Sequence, residues 1–135
     1  MRFRRIECFF LHTLAFALAC LLALPATGEE ATSQLQLLMQ SSPLAGSQFY
    51  ALKTVREKIR VGDALTLARE PDNPYDANAV RVEWQGEKLG YVPRRENHAV
   101  AAALTRGDPL TAVVSRVTDD PDPWKRLEFE IWLRF

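Results

Sequence analysis

The sequence contains little cysteine and little histidine, and this scarcity excludes several kinds of catalytic and metal chemistry. Its 135 residues include two cysteines and two histidines. Both cysteines, Cys8 and Cys20, and one histidine, His12, lie within the first 28 residues. The remainder of the chain therefore has no disulfide, no thiolate ligand and no cysteine nucleophile, and it has too few ligands for a zinc site.

The motifs of nucleotide-dependent and hydrolytic enzymes are also missing. The chain has no glycine-rich phosphate loop, no nucleophile elbow and no HExxH helix. His98 stands alone beside a predicted helix start, which is typical of a surface or capping residue. Asp72 and Asp76 offer an acid and base pair or ligands for a hard cation, but turn formation explains them better. We predict a non-enzyme with no metal, no cofactor and no small-molecule substrate.

The chain also lacks an excess of positive charge. Lys and Arg number 17, as do Asp and Glu, so the formal net charge is zero. Removing residues 1–28 takes away three arginines and one glutamate, leaves 14 basic and 16 acidic residues, and gives a net charge of −2. Because nucleic-acid binders are usually basic, a nucleic acid would have to be bound by a local patch.

The first 28 residues have the order of a secretory signal peptide. Arginines at the start precede an apolar stretch over 8–24, and small residues follow at Ala26 and Gly28. We expect cleavage after Gly28 and export to the periplasm or beyond. Two alternatives stay open, an uncleaved N-terminal membrane anchor and a lipid anchor at Cys20, where the run ALAC is similar to a bacterial lipoprotein box.

The pattern beyond residue 28 predicts six short strands and two short helices. Strands are predicted over 34–40, 64–68, 79–84, 87–92, 110–117 and 127–135, and helices within 44–58 and over 97–106. In the first strand, Leu35, Leu37 and Met39 are expected to form one buried face. Gln85-Gly86 predicts a tight hairpin, and Gly107 a helix C-terminal cap. Short antiparallel strands at this spacing predict a small closed or nearly closed barrel.

The stretch 67–94 holds the densest turn chemistry and most of the aromatic and basic residues with no evident core role. Asp and Asn side chains around a proline predict a compact rigid loop over 72–78 that displays Tyr75. Tyrosine faces can stack on bases, and arginines can donate hydrogen bonds to phosphates. Tyr91 packed outside its hairpin, and arginines on a solvated face, are the alternatives. The candidates for one rim of the barrel are Phe49, Tyr50, Arg69, Tyr75, Tyr91, Arg94 and Arg95.

The run REPDNPYDANAVRV followed by GEKLGYVPR closely resembles the HIRAN domain, a module of helicase-like DNA repair proteins. The resemblance extends over about 42–135. It implies a mainly β fold with two short helices, built as a six-stranded antiparallel barrel related to the oligonucleotide-binding fold. It also implies recognition of single-stranded DNA at a free 3′-hydroxyl end. We therefore divide the chain into a signal peptide (1–28), a lead-in with the first strand (29–41) and a HIRAN-like domain (42–135).

The resemblance implies a role for individual residues. Tyr75 would stack on the terminal base, and Asp76 would hydrogen-bond to the 3′-hydroxyl. Tyr91 would lie near the DNA backbone, and Arg94 would contact a phosphate. Phe49 and Tyr50 would wall the pocket.

Two features argue against DNA binding. Gln48 stands where DNA-binding members of the family have an arginine, and the acidic 119–123 turn, DDPDP, is not what a DNA groove would favour. Members in repair enzymes are fused to ATPase modules and sometimes to zinc-binding modules, whereas this sequence contains neither and is expected to be exported. The alternative function is therefore an envelope interaction domain that keeps the fold but binds a protein or peptide.

Overall fold

The computed structural model describes residues 34–135, and six strands with short helices make up this part of the chain. The expected signal peptide and its cleavage site lie outside the described residues. The elements are β1 (Gln36–Pro43), α1 (Leu52–Val55), β2 (Ala64–Arg69), β3 (Val80–Trp84), β4 (Glu87–Tyr91), α2 (Asn97–Arg106), β5 (Leu110–Val117) and β6 (Leu127–Arg134). Short 3-10 helices cover Ser47–Phe49, Arg56–Lys58 and Pro123–Lys125. No helix in this region has the length and apolar character needed to cross a membrane.

All six strands belong to one sheet in the order β1-β6-β5-β2-β3-β4, and every pairing is antiparallel. The sheet is open, but its two edges meet at one point. Ala45, just after β1, exchanges two backbone hydrogen bonds with Tyr91 of β4, at 2.9 and 3.0 Å. The predicted fold class is confirmed: six antiparallel strands and two short helices form an oligonucleotide-binding-like fold, and one bridge rather than a full ladder brings the edges together.

The β3–β4 hairpin forms where the sequence predicts it. Gln85 and Gly86 both have positive φ, at 48° and 84°, which is the backbone of the tight turn that matches the twist of paired strands. Val80, Val82 and Trp84 alternate with polar residues and are buried. The hairpin therefore supplies one wall of the core.

Helix α2 also begins and ends as predicted. Gly107 caps its C-terminus with φ 78°, and its N–H donates to the carbonyl of Leu104 at 3.1 Å. Val100 is fully buried in the core together with Phe129 and Ile131 of β6. The helix is thus held against the sheet by its apolar face, and its first residue is left beside the 72–78 loop.

The predicted buried face of the first strand is wrong. Leu35 and Leu37 are 70% and 57% exposed, and only Met39 packs against the core. β1 is an edge strand, and its register with β6 shifts between Leu38 and Gln40. Such a shift changes which side chains face the core. The buried part of the strand therefore comes later, and β1 continues to Pro43.

Candidate nucleic-acid interface

An open cavity of about 350 Å³ lies between the 72–78 loop, the end of β4 and the segment after β1. Its lining includes five of the residues predicted from the sequence: Tyr50, Tyr75, Asp76, Tyr91 and Arg94. The tertiary fold thus brings together side chains that are separated by more than forty positions in the chain.

The 72–78 loop is held by its own side chains. The Asn73 side-chain oxygen accepts a hydrogen bond from the Tyr75 N–H at 3.0 Å. Asp76 Oδ1 accepts one from the Asn78 N–H at 2.9 Å. These two local turns fix the backbone on both sides of Tyr75, whose side chain is 84% exposed. The loop therefore displays one flat aromatic ring at the mouth of the cavity, as expected from the sequence.

Asp76 connects this loop to helix α2. Its Oδ2 accepts a hydrogen bond of 2.7 Å from the side-chain amide of Asn97, the buried first residue of the helix. Both carboxylate oxygens are thus oriented, and each retains a lone pair for a further donor. A ligand hydroxyl in the cavity would meet a pre-positioned acceptor.

Replacing Asp76 with alanine is expected to lower the free energy of unfolding by about 2 kcal/mol, because the buried Asn97 amide loses its partner. Urea unfolding of the purified domain measures this change. Asp72→Ala is the matched control, since Asp72 lies in the same loop but is exposed. Equal stability of the two variants would contradict the structural role of Asp76.

Tyr91 is fixed in the cavity wall by a charged network. Its hydroxyl donates to Glu70 Oε2 at 2.8 Å and accepts from the Lys88 ammonium at 2.5 Å. Glu70 also accepts from the Asn73 side chain at 3.0 Å and from Arg81 at 3.1 Å. The network links the end of β2, the β3–β4 hairpin and the 72–78 loop, so the Tyr91 hydroxyl cannot leave its position without losing its hydrogen bonds to Glu70 and Lys88.

The charges of this network shift its pKa values. Burial raises the pKa of Glu70, but hydrogen bonds from Tyr91 and Asn73 and the charges of Lys88 and Arg81 outweigh burial, so the pKa lies below its ordinary value. Burial lowers the pKa of Lys88, but contacts with Tyr91 and Glu70 raise it above its ordinary value. Both groups therefore remain charged across the neutral range.

Lys88 also organises the aromatic wall. Its ammonium lies 4.4 Å from the ring centroid of Tyr50 and 4.3 Å from that of Tyr91. The two rings meet edge to face, with centroids 5.8 Å apart and an interplanar angle of 72°. The cation therefore lies against the Tyr50 ring and at the hydroxyl end of the Tyr91 ring, and it holds the two rings together in the cavity wall.

The network predicts a loss of stability in acid. Because the pKa of Glu70 is lower in the folded chain than in the unfolded chain, its contribution is present above the ordinary carboxyl pKa and is lost as the pH falls through the folded value. We expect the urea midpoint of the native domain to fall between pH 6 and about pH 3. The fall should be smaller in Glu70→Gln, which has no carboxyl to protonate there. Identical pH profiles would contradict this assignment.

Three predicted site residues lie outside the cavity lining. Arg69 donates to the carbonyls of Ala101 and Ala77, at 3.1 and 2.8 Å, and to the Thr105 hydroxyl. It therefore ties the 72–78 loop and β2 to α2 and does not face the cavity. Phe49 is 75% exposed on the neighbouring 3-10 helix, and Arg95 pairs with the adjacent Glu96 at 2.9 Å.

Arg94 is the basic residue at the cavity. It is exposed and follows the end of β4. Within the described part of the chain it makes no ion pair with a carboxylate. Its guanidinium is thus available to an anionic ligand.

Sequence reasoning missed the residues that support this wall, namely Glu70, Lys88 and Asn97. Lys88 stands three positions before Tyr91 in the same hairpin, but sequence spacing alone does not show that its ammonium meets two tyrosine rings. The sequence predicts Asn97 only as the first residue of a helix. Among residues 34–135 no cluster of three or more acidic, histidine or cysteine residues is arranged to hold a metal ion.

The comparisons with known proteins agree with the sequence resemblance. The HIRAN domain profile matches residues 37–135. The crystal structure of a Lactobacillus plantarum protein superposes with a TM-score of 0.63 and 28% identity, covering 75% of this chain and 97% of that one. The crystal structure of the HIRAN domain of human HLTF superposes with a TM-score of 0.53 and 20% identity, covering 74% and 78%. The comparison with curated protein sequences gives no match.

At 20% identity, the superposition on the HLTF domain shows a shared fold only. The profile match over residues 37–135 shows the family. HIRAN domains are binding modules. The chain therefore belongs to the HIRAN domain family of nucleic-acid-binding modules.

Proposed function

We propose that this domain binds single-stranded DNA at its 3′-hydroxyl end and has no catalytic activity of its own. The observation that carries the proposal is the cavity itself, whose lining includes an exposed aromatic ring, an oriented carboxylate and an exposed guanidinium around one opening. Those three groups are Tyr75, Asp76 and Arg94. Their chemistry matches the three parts of a strand end, namely a base, a hydroxyl and a phosphate.

Each group has a distinct task. The Tyr75 ring offers a face for the terminal base, and stacking of this kind tolerates any base. The Asp76 carboxylate only accepts hydrogen bonds, so it suits the donor of a 3′-hydroxyl. Arg94 would form a charge-assisted hydrogen bond with the phosphate that precedes the terminal nucleotide. The rings of Tyr50 and Tyr91 would flank the sugar and base.

The Asp76 carboxylate would allow the domain to distinguish a 3′-hydroxyl from a 3′-phosphate. A 3′-phosphate in place of the hydroxyl would bring like charges together at Asp76, and such juxtaposition is costly in a partly enclosed site. The domain should therefore prefer a 3′-hydroxyl over a 3′-phosphate, and the preference should depend on this one side chain.

The test compares fluorescently labelled single strands that differ only at the 3′ end. We expect the 3′-hydroxyl strand to bind at least about tenfold more tightly than the 3′-phosphate strand, in low and in moderate salt. Asp76→Asn should reduce this preference, because an amide carries no charge; its single oxygen can accept from Asn97 or from the Asn78 N–H but not from both, so urea unfolding of this variant accompanies the binding assay. Equal binding of the two strands to the native domain would overturn the proposal.

Absence of binding to either strand would favour the alternative function, an envelope domain that binds a protein or peptide. Export rests on the features of residues 1–28 and stays a prediction. Detection of the protein in a periplasmic or culture-medium fraction, with an N-terminus at Glu29, tests it directly.

A further inference from the structure

A second cleft adjoins the segment that carries Tyr50. It encloses about 460 Å³ and is lined by Gln48, Leu52, Lys53, Arg56, Asp119 and Arg126. Three of these side chains are basic and one is acidic, so the lining carries a formal charge of +2 in a chain whose net charge is zero. The cleft is therefore a local concentration of positive charge.

The two sites are neighbours along the backbone. Tyr50 lines the 3′-end cavity, and Gln48 and Leu52, two positions away on either side, line the second cleft. Between them Phe49 projects outward with 75% of its surface exposed. An extended ligand that leaves the first site can thus reach the second across one short turn.

Two of the basic groups have no acidic partner in the described part of the chain. Lys53 is exposed and forms no ion pair among residues 34–135. Arg126 donates to the backbone carbonyls of Asp120 and Pro121, at 2.9 Å each, which fixes its position, and it forms no ion pair among residues 34–135.

The third basic group, Arg56, is paired with a carboxylate that another anion can replace. Arg56 forms an ion pair with Asp119 from the acidic turn between β5 and β6. The arginine side chain is 23% exposed, whereas the aspartate side chain is 82% exposed. Pairs in which one partner is so well solvated contribute little stability, so another anion can replace the carboxylate at small cost.

We propose that this second cleft binds the phosphodiester backbone of the strand whose 3′ end occupies the first cavity, and that Asp119 is an internal competitor for the phosphate site at Arg56. The proposal rests on the proposed function and adds contacts to the phosphates that precede the 3′ end of the bound strand. Lys53 and Arg56 contact phosphates, and the acidic 119–123 turn limits the strength of those contacts. Gln48 lines the same cleft without adding charge.

DNA strands of different length distinguish binding at the first cavity from binding at the second cleft. A dinucleotide with a 3′-hydroxyl fills only the first cavity, whereas a ten-nucleotide strand with the same 3′ end extends into the cleft. Fluorescence anisotropy measures the affinity of both for the native domain and for Lys53→Gln, Arg56→Gln and Asp119→Asn. Lys58→Gln is the control, since Lys58 is an exposed lysine on the adjacent 3-10 helix and does not line the cleft.

We expect Lys53→Gln and Arg56→Gln to weaken binding of the longer strand about threefold to tenfold and to make it less sensitive to salt. Asp119→Asn should strengthen that binding severalfold, a gain that a misfolded variant would not show. Dinucleotide binding should be the same in all four variants.

The outcomes distinguish the two proposals. If the native domain prefers the 3′-hydroxyl but the variants bind the longer strand as the native domain does, the cleft proposal is overturned and the proposed function stands. If the native domain shows no preference for the 3′-hydroxyl, the proposed function fails, and an effect of the variants would then reveal a backbone site without end recognition. An unchanged or weaker affinity in Asp119→Asn would overturn the competitor role of Asp119.

Discussion

Replacing Gly90 with alanine is expected to lower the free energy of unfolding by about 3 kcal/mol, because no room exists for a side chain there. An added Cβ would lie 2.4 Å from the backbone oxygen of Ala45 and 3.0 Å from Cγ of the buried Leu44. That same Ala45 oxygen accepts the hydrogen bond from the Tyr91 N–H that joins the two edges of the sheet. The backbone must therefore move apart at the point where the fold closes.

The matched control for this variant is Gly62→Ala. Gly62 has a φ of 90°, but nothing lies within 4 Å of the position that a Cβ would occupy there. Alanine at this position should cost only the backbone strain of a left-handed conformation, about 1–2 kcal/mol. Urea unfolding compares the two variants. If the Gly90→Ala domain is as stable as the Gly62→Ala domain, the Ala45–Tyr91 bridge does not need the close approach of Gly90 to the Ala45 oxygen.

Gly90→Ala should also weaken DNA binding even where the domain remains folded. Ala45 and Tyr91 both line the cavity beside the 72–78 loop, so separating them widens it and displaces the aromatic wall. The Gly62→Ala variant should bind as the native domain does, because Gly62 lies outside the cavity lining. Binding assays well below the denaturation temperature check this expectation.

Replacing Tyr75 with alanine is expected to weaken binding of a 3′-hydroxyl strand about tenfold to a hundredfold, since stacking on one base contributes about 1–3 kcal/mol. The variant should keep its stability. Tyr75 is exposed, and the hydrogen bonds that hold its loop come from the side chains of Asn73 and Asp76 and from backbone groups. Loss of the ring therefore removes the ligand contact and leaves the loop intact.

Two controls sharpen this test. Tyr75→Phe should bind nearly as well as the native domain, because it keeps the ring face. Phe135→Ala removes an aromatic side chain that is similarly exposed but lies at the far end of β6, so it should change nothing. Unaltered binding in Tyr75→Ala, or unfolding of that variant, would show that Tyr75 does not act as a stacking platform.

The elements that the sequence predicted well are those whose signals are local. The β3–β4 hairpin depends on two adjacent residues that adopt positive φ, and α2 ends at a glycine that caps it. The 72–78 loop depends on Asn73 and Asp76, whose side chains bond to backbone groups two positions away. Such interactions involve neighbours in the chain, so residue type and spacing suffice to predict them.

The first strand shows where local reasoning fails. Alternation over 34–40 was correct as a sign of a strand, but the choice of buried face was wrong. That choice depends on the register with β6 and on the position of β1 at the edge of the sheet. Neither property is encoded within the strand itself.

In the candidate site, too, some features follow from local sequence and others depend on tertiary packing. The sequence by itself determined the loop that displays Tyr75, the strand end that carries Tyr91 and Arg94, and the family to which they belong. Only the tertiary structure decided that Arg69 serves to hold α2, because its partners lie more than thirty positions away in the chain. It likewise decided that Glu70 and Lys88 fix Tyr91, since hydrogen bonds and ion pairs between separate elements depend on how those elements pack.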